Sequence, residues 1–141
     1  MIIISPWINP RACDAQFCDL FAKALARGIR MYSGYGLGHE RHPGEANFQK
    51  QLVNQLKSSI KKRLRGIDST AFQSDIVETA GTHQKILVCD RQFAITGSFN
   101  WLSYPGKLKE GYSQELSVLF RYIDQVNELA NIAMQVWNSR K

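Results

Sequence analysis

The chain reads as an α/β protein, a mixed β-sheet flanked by helices, on three observations. Short apolar runs rich in β-branched residues alternate with longer stretches of helical periodicity. The opening strand–helix–strand order has a short turn on each side, as a parallel βαβ unit requires. Two later strand-like runs are separated only by Asp90-Arg91-Gln92, a hairpin connection and so a sign of antiparallel pairing.

Ile2 to Ser5 is a buried strand that Pro6 ends, and Trp7, Ile8 and Pro10 form a turn. From Asp14 to Arg27, residues Phe17, Leu20, Phe21, Ala24 and Leu25 recur at the spacing of one helical face, with Gly28 placed as the cap. Ile29 to Ser33 is the second strand. Gly34 to Gly44 is a loop by composition. Its glycines would cradle a phosphate only if a helix followed at once, and Pro43 delays it. His39 and His42 lack a third ligand at a useful spacing and read as exposed loop histidines.

Glu45 to Leu64 is a helix with Phe48, Leu52, Val53, Leu56, Ile60 and Leu64 as its apolar stripe, ended by Gly66. Lys57, Lys61, Lys62, Arg63 and Arg65 crowd its C-terminal half. Two readings stand side by side: a solvated face suited to the negative end of the helix dipole, or a contact surface for a phosphate backbone. After a polar connection from Asp68 to Gln73 come strands at Asp75–Thr79, Gln84–Cys89 and Phe93–Thr96. A loop over Ser103 to Tyr112 leads to a half or fully buried strand at Gln114–Phe120. The closing helix, Ile123 to Trp137, turns Val126, Leu129, Ala130, Ala133, Met134 and Trp137 inward.

At 141 residues, with 44% hydrophobic and 21% charged side chains, the chain is one domain able to bury a core. Its net charge of +6 favours a polyanionic partner, either nucleic acid or an anionic membrane surface. No apolar run approaches the roughly 20 residues that span a bilayer. The start, MIIISPWINP, has neither the basic segment nor the apolar length of a signal peptide. Three cysteines without metal-type spacing point to reduced thiols in a cytoplasmic protein.

The stretch GTHQKILVCDRQFAITGSFNW, Gly81 to Trp101, concentrates the chemistry. Side chains two apart on a strand share a face, so His83 and Lys85 converge on one point. A neutral imidazole can attack phosphorus and leave again, splitting a displacement into two steps. A lysine beside it holds the phosphoryl oxygens and stabilises the charge that develops on them. Ser98 and Asn100 add neutral donors, and Gly97 lets the backbone come close. With the cation supplied by Lys85, no metal or other cofactor is called for.

His83-x-Lys85, then Asp90, then Gly97-Ser98-x-Asn100 resembles the HKD motif of the phospholipase D superfamily, six residues at fixed spacing. The chain looks closest to the short single-motif bacterial endonuclease-like members. The resemblance implies the phospholipase D-like α/β/α sandwich, here without the first strand and helix of the usual domain, so the chain is a trimmed variant, a fragment, or part of a longer polypeptide or complex. It implies that His83 forms a covalent phosphohistidine and that Lys85, Ser98 and Asn100 bind the phosphate. It makes His83, Lys85, Asp90 and Glu115 the catalytic set. Asp90 sits at a turn on the other face and is expected to fix the hairpin or pair with a basic group. Glu115, in the segment Gln114-Glu115-Leu116, is expected to orient the His83 ring through its second nitrogen.

The superfamily's active site needs two motif copies and this chain has one, so a twofold homodimer is expected to supply the second. The expected activity is metal-independent cleavage of nucleic-acid phosphodiester bonds, DNA ahead of RNA. The alternatives are a phospholipase or phosphatidyltransferase and a non-catalytic nucleic-acid-binding module. Trp101 offers a stacking surface for a base or a buried aromatic at the sheet edge.

Overall fold

The computed structural model describes residues 1–37, 44–66, 74–104 and 115–140. Strands β1 (Ile2–Ser5), β2 (Met31–Tyr35), β3 (Ser74–Glu78), β4 (Ile86–Cys89), β5 (Phe93–Gly97) and β6 (Ser117–Phe120) form one mixed sheet in the order β3-β2-β1-β4-β5-β6. Helices α1 (Ala15–Ala26), α2 (Glu45–Arg63) and α3 (Ile123–Asn138) complete the described elements. β1, β2 and β3 run parallel, whereas β4, β5 and β6 are each antiparallel to the strand before them in the sheet.

Strand alternation splits the core. Ile3, Met31, Tyr35 and Ile76 face α1 and α2, where they meet Phe21, Leu25, Leu52, Val53, Leu56 and Ile60. Ile2, Ile4, Val77, Ile86, Val88 and Ala94 face α3, against Val126, Ala133 and Trp137. The predicted α/β architecture and the parallel βαβ start are present. Asp14 caps α1 by accepting from the Phe17 amide at 2.9 Å.

Four expectations need correction. Leu20 and Phe48 do not join their helices' buried faces but are 59% and 54% exposed; Cys18 and Ala22 fill α1's core positions instead. The second strand starts two residues late because Ile29 still donates to the Ala24 carbonyl, and β1 pairs first with Tyr32. Gly34 and Tyr35 therefore belong to β2, not to a loop. A Cβ at Gly34 would lie 2.9 Å from Ile4 Cδ1 and 3.0 Å from Thr79 Cγ2, so the glycine permits tight packing beneath the sheet. Finally, β6 is the outermost strand and is mostly exposed, because no strand follows it to cover its edge among the described residues. His39, His42, residues 68–73 and Gln114 lie outside the described residues.

No described helix is long and apolar enough to cross a membrane.

Candidate functional site

The chain leaves β1 toward β2 and β3 on one side, and β4 then returns on the other. The sheet thus has its topological switch beside β1, where α/β folds open a crevice at the carboxyl ends of strands. β4 is antiparallel to β1, with Ile86 opposite Ile4, so residues just before β4 lie at that carboxyl end. The register Ile86↔Thr96 and Gly97↔Ser117 brings the end of β5 and the approach to β6 to the same place. His83, Lys85, Ser98, Asn100 and Glu115 therefore gather at one end of the sheet.

Residues 79–85 are held from both sides. The Thr79 amide donates to the Tyr35 carbonyl at 2.8 Å, Ala80 to Ser139 at 2.7 Å, and Thr82 to Gly36 at 2.8 Å. The buried Thr82 hydroxyl accepts from the Gln84 amide at 3.0 Å, which bends the chain ahead of β4. The expected strand thus begins at Ile86 rather than Gln84. The pairing of His83 with Lys85 survives, but a bend creates it, not strand alternation. Lys85 folds back so that its Nζ donates to the His83 carbonyl at 3.0 Å and lies 3.3 Å from His83 Nδ1.

Lys85 is only 9% exposed, while His83 is open to solvent. Burial lowers the Lys85 pKa below its ordinary value, and the charge of Glu115 partly opposes that shift. Among the described residues Lys85 has no ion-pair partner. Glu115 is exposed and makes no hydrogen bond to the His83 ring; the ring nitrogen given a neighbour faces Lys85 instead.

Ser98 is committed to the backbone. Its amide and hydroxyl both donate to the Leu116 carbonyl, at 2.9 and 3.2 Å, and the hydroxyl accepts from the Leu116 amide at 2.9 Å. It clamps the approach to β6. Gly97 serves the same junction rather than a ligand: a Cβ there would lie 2.2 Å from the Leu116 carbonyl oxygen. The Asn100 carbonyl closes a turn by accepting from Ser103 and Tyr104, and its side-chain oxygen is buried without a partner. Trp101 is half-buried, its ring 4.8 Å from that of Phe99.

Asp90 lies at the opposite end of β4, in the left-handed region at φ 49°, with Oδ1 3.5 Å from the Met1 amino group. It ends the hairpin a strand length from His83, as its turn position foretold, and stands apart from the other catalytic candidates.

The basic cluster is also divided. Lys50 pairs with Glu78 at the end of β3 and Lys57 with Asp75 at its start, 2.6 Å away, so α2 runs toward the end of the sheet remote from His83. Arg63 pairs with Asp19 and donates to the Ser59 carbonyl. Lys61, Lys62 and Arg65 are exposed, with no ion pair among the described residues. Sequence reasoning did not single out Thr82; a threonine after a glycine and two residues before an amide it accepts from was the available signal.

Comparison of the chain with protein-family models, curated proteins and solved structures finds no significant match.

Proposed function

We propose that this chain is a metal-independent phosphodiesterase of the phospholipase D type, cleaving nucleic-acid phosphodiester bonds through a phosphohistidine at His83. The observation that carries the reading is Lys85: a nearly buried ammonium without a carboxylate partner, bonded to a solvent-open histidine. A desolvated cation with no counter-ion is a receptor for an anion, and a histidine at hydrogen-bond distance supplies a nucleophile for it. Lys85 holds the phosphoryl oxygens, and Asn100 lies at the same end of the sheet. Glu115 tunes the site through its charge on Lys85 rather than by a bond to the ring. The net charge of +6 and the exposed Lys61, Lys62 and Arg65 favour nucleic acid over a neutral ester, and DNA is the first substrate to try.

The second histidine, needed to protonate the leaving group, comes in this reading from a second copy of the chain. Leu116, Val118, Leu119, Tyr122 and Ile123 are 46–80% exposed beside Glu115, an apolar stretch available to such a contact. Antiparallel pairing of two β6 edges would leave the histidines at opposite ends of a joined sheet. The copies must instead meet through their site ends or faces. Sedimentation at micromolar concentration tests this, and a strict monomer contradicts it.

A non-catalytic phosphate-binding module is the second reading, favoured by the engagement of the Ser98 hydroxyl with Leu116. Plasmid cleavage in EDTA separates the two. Cleavage abolished by His83→Ala supports the enzyme, and salt-sensitive binding without cleavage supports the module. Cleavage that requires magnesium or survives His83→Ala defeats the mechanism, and phosphatidylcholine turnover without nuclease activity moves the substrate to lipid.

A further inference from the structure

We infer that Lys85 is a positioning residue for His83 as well as a phosphate ligand: in the unliganded chain its ammonium holds the ring as the Nε2–H tautomer, and an arriving phosphate releases it. The inference rests on the phosphodiesterase reading for its role and on geometry for its content. Nζ lies 3.3 Å from Nδ1. An ammonium has three donors and no acceptor, so the contact is a hydrogen bond only when Nδ1 is unprotonated. A neutral ring then carries its proton on Nε2, the nitrogen facing away from Lys85. That tautomer has no lone pair at Nε2 with which to attack phosphorus.

Glu115 does not reverse this, because among the described residues it makes no hydrogen bond to the ring. The ammonium is held in place by the His83 carbonyl at 3.0 Å and by burial. A phosphoryl oxygen is a stronger partner for it than a neutral nitrogen. Once phosphate draws the ammonium away from Nδ1, Nε2 gives its proton to solvent and Nδ1 takes one up. The ring stays neutral, and the lone pair now stands at Nε2. The free site is thereby kept in an unreactive state that its own substrate undoes.

The test is a long-range ¹H–¹⁵N correlation spectrum of histidine-labelled full chain at about pH 8, above the ordinary histidine range. His83→Ala identifies the His83 signals among the three histidines. The free protein is expected to show the Nε2–H pattern at His83, and saturating inorganic phosphate to convert it to Nδ1–H. Lys85→Met is expected to lose both the initial bias and the response, and Lys85→Arg, which also donates, to retain the bias. An Nδ1–H pattern in the free protein, a phosphate titration that leaves the pattern unchanged, or an unaltered spectrum in Lys85→Met overturns the inference. These outcomes do not depend on turnover. A chain that switches tautomer but never cleaves sinks the nuclease reading alone; one that cleaves with a fixed tautomer sinks only this inference.

Discussion

In the parallel half of the sheet, β1, β2 and β3 send side chains into both cores and are covered by helices on each face. In the antiparallel half, coverage thins outward. Ile86, Val88 and Ala94 are buried under α3, while Leu87, Cys89, Phe93 and Ile95 on the opposite face are only half-buried. On β6, Ser117, Val118 and Leu119 are all exposed. The candidate site lies along the seam between these halves. Its backbone is anchored to the rigid half through Tyr35 and Gly36, whereas Ser98 and Glu115 stand in the thinner half. Reactive groups carried near a weakly covered edge, on a well-packed base, combine precision with access.

The contrast can be broken most forcefully at Ile4, which is fully buried at the centre of the sheet. Ile4→Ala is expected to cost about 3–4 kcal/mol in denaturant unfolding, against less than about 1 kcal/mol for Leu119→Ala. Equal costs would mean that β6 is covered in solution, as a dimer through that strand would require. Next comes Gly97→Ala, whose Cβ collides with the Leu116 carbonyl; a loss of about 2 kcal/mol or more and weaker phosphate binding should appear together, in unfolding and titration. Ser98→Ala removes the hydroxyl clamp on Leu116 at an exposed position and should cost about 1 kcal/mol or less, read by the same unfolding assay.

Lys85→Met should move the other way, raising stability by up to about 1 kcal/mol near neutral pH while abolishing phosphate binding. Burial disfavours the charged lysine, so its cost to the wild type is fully present below the lowered folded pKa. That cost is relieved as pH rises toward the ordinary value of 10.5. The stability gap between the two proteins should therefore narrow in that window, and a gap that widens there refutes the assignment. The smallest stability effect is expected for Lys61→Gln, Lys62→Gln and Arg65→Gln together. Their signature is a shallower dependence of DNA affinity on salt, by up to about 0.9 per lost phosphate contact. An unchanged slope would leave those cations as a solvated helix end.

Much of this was legible in the chain itself. Ile2–Ser5 reads correctly because Pro6 ends it, and the α3 stripe because its period is unbroken. The convergence of His83 and Lys85 was also readable, and so was the turn position of Asp90. What was not legible came from tertiary contacts. Gly34 looked like loop punctuation because its packing partners, Ile4 and Thr79, are remote in sequence. The exposure of Val118 and Leu119 depends on strand order, which an alternating apolar run does not encode. The division of the α2 cations depends on Asp19 and Asp75, both distant along the chain. Ser98 and Gly97 drew attention for chemistry, yet their described contacts are with the approach to β6.

The most direct measurement is to trap the covalent intermediate. End-labelled DNA is incubated with the chain in EDTA, quenched in alkaline denaturant, and digested to find the labelled peptide. The account predicts an acid-labile, base-stable phosphoryl adduct on His83 that is absent from His83→Ala. Cleavage without any adduct, or an adduct on another residue, would contradict it.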